Sequence, residues 1–150
     1  MRTAWVFGAH GHNFVRTILR LAEERETLRV VADQRGCPTG ADDLARALLG
    51  VAREVTARPG RWGTYHLAGR PPTSWHGLAE AVVEEARRWR PLAVREVVPL
   101  RTDEYPTAAR RPVEVVLDCA RIERAFGVEA PPWRPALSRV VARLCAAAAG

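Results

Sequence analysis

The chain contains no lysine, and all 23 of its strongly basic residues are arginine. For this chain taken alone, that excludes a lysine Schiff base, a phosphate-binding P-loop and a Tyr-x-x-x-Lys proton-donating pair. Cysteine is scarce. Cys37, Cys119 and Cys145 are odd in number and far apart, which argues against a disulfide framework and suits a reducing compartment. Neither these cysteines nor His10, His12, His66 and His76 fall into a zinc-ligand spacing. No apolar run is long enough to span a bilayer, the alanine-rich tail after Leu144 being the longest. No signal peptide precedes the first predicted strand. The expectation is a soluble, cytoplasmic protein with no membrane partner.

What is present points to one ordinary core, because 150 residues bury most of their apolar surface once but not twice. The formal charge of +6 is carried by guanidinium groups, whose planar fork binds oxyanions bidentately, although abundant Ala, Gly and Pro also suit a GC-rich coding bias. The organising stretch runs from Val30 to Asp43. A β-branched pair leads to Asp33 and Gln34, then Gly36 and Pro38 punctuate a turn, and Thr39 with Asp42 forms a capping box that opens a helix. Corners of this kind lie at the carboxyl ends of strands, where α/β proteins bind ligands.

Around that corner the chain alternates strands and helices. Thr3 to Phe7 reads as a buried strand, and Asn13 as the N-cap of a helix running to about Glu26, with Phe14, Ile18, Leu21 and Ala22 at helical spacing and Val15 and Leu19 beside them. Leu28 to Ala32 is a second strand. Strand, Gly8-x-x-Gly11, helix, strand and Asp33 imitate a dinucleotide-binding unit, but Phe14 stands where the third glycine belongs and blocks close helix packing. An ordinary βαβ unit is the better reading. A helix from Gly40 to Val55 is expected to bury Leu44, Ala47, Leu48 and Val51. Gly63 to Gly69 reads as a strand. Thr73 or Ser74 then caps a helix with Trp75, Leu78, Val82, Ala86 and Trp89 inward, and His66 and His76 read as ordinary strand and helix residues. Val94 to Leu100 and Val113 to Leu117 are further strands, Cys119 to Phe126 is a short helix stopped by Gly127, and a last helix buries Leu137, Val140, Val141 and Leu144. Between them, Arg110 and Arg111 stand between Pro106 and Pro112 and suit either a diphosphate clamp or a solvated basic loop.

Five groups of residues carry a family likeness, in order along nearly the whole chain: Arg2-Thr-Ala-Trp-Val-Phe-Gly8 with Asn13-Phe-Val15, Asp33-Gln-x-Gly-Cys-Pro-Thr39, Gly63-Thr-Tyr-His-Leu-Ala-Gly69 with Thr73-Ser-Trp75, Pro106-x-x-Ala-Arg-Arg-Pro112 with Leu117-Asp118, and Pro131-Pro-Trp133. Together they resemble the C-terminal half of the dTDP-4-dehydrorhamnose reductase family. The resemblance implies an α/β fold, the C-terminal part of an extended short-chain dehydrogenase (Rossmann-like) fold, with a few short strands and flanking helices. It implies residues 1–150 as one sugar-nucleotide-binding domain without the NADPH-binding half that precedes it in the family. His12 before Asn13 and Glu114-Val115 after the Arg-Arg-Pro run depart from the family's pattern.

The activity implied is NADPH-dependent reduction of dTDP-4-dehydro-L-rhamnose to dTDP-L-rhamnose, for cell-surface polysaccharide. The family's Gly-rich loop and Tyr-x-x-x-Lys pair are not here: Gly69 and Ala109 stand four residues after Tyr65 and Tyr105. The chain is therefore expected to be inactive by itself, with no catalytic residue of its own. The implied substrate-binding residues are Trp5, packing on the deoxysugar; Asn13 and Phe14 at a helix start, suited to a phosphate oxygen; Gln34, Gly36, Pro38 and Thr39 beneath the nucleotide; and Arg110 or Arg111 on the diphosphate. A non-catalytic subunit pairing with a complete reductase is the alternative. Nucleic-acid binding is disfavoured, because the arginines are scattered and no recognised motif is present. Unpaired strand edges and an uncovered apolar face are expected to make the isolated chain prone to association.

Overall fold

The computed structural model describes residues 1–105 and 111–147. Among these, seven short strands form three small sheets with helices packed around them. Strand β1 (Val6–Phe7) pairs in parallel with β4 (Thr39–Gly40). Strand β2 (Thr27–Val31) runs parallel to β6 (Glu96–Leu100), in register from Thr27 opposite Glu96 to Val31 opposite Leu100. Strand β3 (Arg35–Gly36) lies between antiparallel β5 (Thr73–Ser74) and parallel β7 (Glu114–Val115). The α/β class is as expected.

Helix α1 (Phe14–Glu24) begins as predicted, with the Asn13 side chain accepting the Arg16 amide at 3.3 Å. It buries Val15, Ile18, Leu19 and Ala22, one stripe of a 3.6-residue period. Helix α3 (Trp75–Ala86) is capped by Ser74, whose Oγ accepts from the Gly77 amide at 3.0 Å. Six of its residues are buried, because it lies between α1 and α5 (Trp133–Ala147) and meets β2 and β6 as well. The main core is this three-helix contact, closed by Phe7, Leu28 and Val94. Short helix α4 (Ala120–Phe126) stops at Gly127, whose φ of 65° is the left-handed stop that glycine tolerates. No helix among the described residues is long and apolar enough to cross a membrane.

Several expectations need correction. The strand predicted over Thr3 to Phe7 shrinks to β1, because Trp5 takes φ 49° and breaks the extended run. Gly63 to Gly69 is not a strand; it is irregular chain joined to Arg2 by a single bridge at His66. Thr39 does not cap α2 (Ala41–Ala57): the N-cap is Gly40, without a side-chain bond. Helix α2 has no buried residue, and Leu48 and Leu49 are 45% and 61% exposed. Spacing identifies an apolar stripe but not what covers it. Trp89 is 53% exposed, because α3 ends at Ala86 and the helical spacing does not reach it. Leu144 is only half-buried on α5.

Candidate functional site

The corner after β2 is held by two threonines. Thr102, in a short 3-10 turn (Thr102–Glu104) after β6, donates its hydroxyl to Asp33 at 2.7 Å and its amide at 3.0 and 3.1 Å. The hydroxyl bond first, then the amide, hold the Asp33 carboxyl below its ordinary value. Gln34 donates its amide N–H to the same Thr102 Oγ at 3.1 Å, and its carbonyl oxygen accepts no hydrogen bond among the described residues. Thr39 is fully buried. Its hydroxyl donates to the Ala4 carbonyl at 2.8 Å and accepts the Gly69 amide at 3.1 Å. Gly69 has no room for a side chain: a Cβ there would sit 1.9 Å from the Pro38 carbonyl oxygen. Pro38 and Thr39 thus anchor the corner from beneath.

Above the corner stands an aromatic wall. Trp5 stacks on Trp75 with centroids 3.6 Å apart and planes 12° from parallel, and Phe14 lies tilted against Trp75 at 4.7 Å. Gly36 touches Trp5 as well. A Cβ at Gly36 would fall 2.4 Å from Cε2 and 2.7 and 2.8 Å from Cζ2 and Nε1. The ring-fusion atom is nearest, so the approach is over the ring; an approach in the ring plane would meet the flanking atoms first. With Trp75 overlapping one face and Gly36 closing the other, Trp5 presents its edge. A sugar ring packing on the face of Trp5 requires the indole to leave this stack.

The wall borders a cavity of about 750 Å³ that brings together four of the predicted residues: Trp5, Phe14, Gln34 and Arg111. Gly36, Pro38 and Thr39 support it without lining it, and Arg110 lies outside the described residues. Asn13 is spent on the helix cap and on the Gly8 carbonyl at 2.9 Å; it lines a separate cavity of about 320 Å³ with His10, His12 and Asp42. Sequence reading did not assign Arg29, Trp75 or Tyr105 to this site, yet all three line the larger cavity. The signal available was the alternation of β2, which buries Leu28 and turns Arg29 outward. Among the described residues the lining includes two arginines and no carboxylate, so the cavity is a cationic space with an aromatic wall.

Other chemistry is limited. Tyr65 donates its hydroxyl to the Arg61 carbonyl at 2.9 Å and packs edge-on to Phe126, away from this cavity. Burial pushes the Cys37 and Cys145 thiols up, the opposite of a reactive thiolate. Among the described residues no group of His, Cys, Asp and Glu is placed to hold a metal ion.

Comparison with known proteins identifies the chain's relatives. The family model described as the RmlD substrate binding domain matches residues 1–146. A dTDP-4-dehydrorhamnose reductase of Burkholderia thailandensis is 46% identical over 150 aligned residues, covering 93% of this chain and 49% of the relative. The crystal structure of a dTDP-4-dehydrorhamnose reductase from Clostridium acetobutylicum superposes with a TM-score of 0.84 at 34% identity, covering 95% of this chain and 47% of that one. That of the Bacillus anthracis enzyme, solved in complex with NADP, superposes at 0.79 with 32% identity and covers the same shares. The chain thus spans about half the length of the relatives it matches.

Proposed function

Because the chain belongs to the RmlD substrate binding domain family, we propose that its larger cavity binds a dTDP-hexose, the substrate of a dTDP-4-dehydrorhamnose reductase in dTDP-L-rhamnose biosynthesis. The observation that carries this reading is a cavity with no carboxylate among its described lining residues, in which an aromatic wall and Gln34 meet Arg111. Aromatic and amide groups suit a base and a deoxysugar, and the guanidinium suits a diphosphate. The volume, about 750 Å³, is in the range of small-molecule sites.

NADPH does not fit this chain's own residues. Where a dinucleotide fingerprint has its third glycine, Phe14 packs against Trp75, and the helix start there is closed by the Asn13 cap. The cofactor, the Tyr-x-x-x-Lys pair and the hydride step belong to the family's other half, outside these 150 residues, which supply substrate binding in the cytoplasm. The exposed apolar stripe of α2 and the two-stranded β2–β6 sheet, which pairs with no third described strand, are the surfaces such a half would cover. The same surfaces favour a second reading, a non-catalytic subunit that pairs with a complete reductase.

The experiment is a titration of this chain with dTDP, followed by intrinsic tryptophan fluorescence. Saturable quenching, weakened about tenfold by Arg111→Ala, supports the reading; no saturable change rejects it. Co-sedimentation of the chain with a complete reductase separates the second reading from the first.

A further inference from the structure

We infer that Arg29 is a second anion-binding side chain of this cavity, acting with Arg111 on the diphosphate; the inference rests on the nucleotide-sugar reading above. Arg29 is the central residue of β2, paired in register with Val98. Strand alternation drives Leu28 into the core and turns Arg29 outward, onto the wall of the cavity that also holds Trp5, Gln34 and Arg111. Its guanidinium makes no ion pair and no side-chain hydrogen bond among the described residues. That is unlike neighbouring Arg95 and Arg101, which pair with Glu26 and Asp103. Asp33, four residues along the chain at the corner, is already committed to Thr102.

Two guanidinium groups share this cavity, and no carboxylate is among its described lining residues. Such a lining favours a doubly charged ligand group over a neutral one. A strand also fixes the Arg29 backbone more firmly than a loop fixes that of Arg111, so Arg29 sets the phosphate position with less ordering cost.

The test compares dTDP with thymidine on the full chain, for the unmodified protein, Arg29→Gln and Arg29→Lys. The inference predicts that Arg29→Gln weakens dTDP about tenfold, leaves thymidine unchanged and flattens the salt dependence of dTDP binding. Arg29→Lys recovers part of the loss, because it restores a point charge but not the fork. Equal dTDP affinity in Arg29→Gln overturns the role of Arg29 while leaving the cavity assignment standing. Equal losses for dTDP and thymidine also overturn it, by showing a packing role. Failure of the unmodified chain to bind dTDP removes the nucleotide-sugar reading itself, and this inference with it.

Discussion

Replacing Gly36 with alanine probes the aromatic wall most sharply. The added Cβ would lie 2.4 Å from Trp5 Cε2, against ordinary contact at 3.4 Å or more. Trp5 cannot slide away, because Trp75 stacks on its other face at 3.6 Å. Either the stack opens or β3 shifts against β5 and β7. Overpacking of this kind costs about 1–3 kcal/mol, and loss of the aromatic pair adds about 0.5–1.5 kcal/mol. For a chain of this size each kcal/mol lowers Tm by roughly 2–4 °C, so a combined cost of about 1.5–4.5 kcal/mol predicts a fall of about 3–18 °C. Two closely stacked indoles also couple their transitions, giving a circular-dichroism couplet that Gly36→Ala and Trp75→Phe should both remove. In a Trp5→Leu background the cost of Gly36→Ala should shrink by at least about 1 kcal/mol. An unchanged Tm together with a retained couplet would refute the proposed contact of Gly36 with the indole face.

Further expectations follow from the same contacts. Thr39→Val leaves the Ala4 carbonyl and the Gly69 amide without their buried partner, and urea unfolding should show a loss of about 2–4 kcal/mol. Asp33 has a folded-state pKa below its ordinary value, so its contribution is present above that value and lost as pH falls through the lowered one; the Tm difference between the unmodified chain and Asp33→Asn should therefore shrink on acidification. Leu48→Ser on exposed α2 should change stability by no more than about 0.5 kcal/mol, whereas Ile18→Ala in the core should cost about 2–5 kcal/mol. If a sugar ring packs on Trp5, saturating dTDP-hexose should diminish the Trp5–Trp75 couplet, while thymidine should not.

The parts legible from sequence were those with a local cause. Helices α1, α3 and α5 follow from their apolar spacing, and the Asn13 and Ser74 caps from side-chain oxygens preceding such runs. The errors arose where distant chain decides. Thr39 has the chemistry of a cap, but its hydroxyl is taken by Ala4 and Gly69, which no local pattern reveals. Leu48 has the spacing of a core residue, yet no described element covers it. Trp5 has strand propensity, but its stack with Trp75 and its positive φ replace the extended conformation. At the site, Trp5, Phe14, Gln34 and Arg111 line one cavity. Arg29 escaped because a single arginine on a short strand carries no motif. Strand alternation marks it as outward-facing but does not say which cavity it lines.

The most direct measurement is a calorimetric titration of the unmodified chain with dTDP-L-rhamnose and, separately, with NADPH. The cavity's geometry predicts one saturable site for the nucleotide sugar and no binding of NADPH. Saturable NADPH binding, or no heat with dTDP-L-rhamnose, would contradict it.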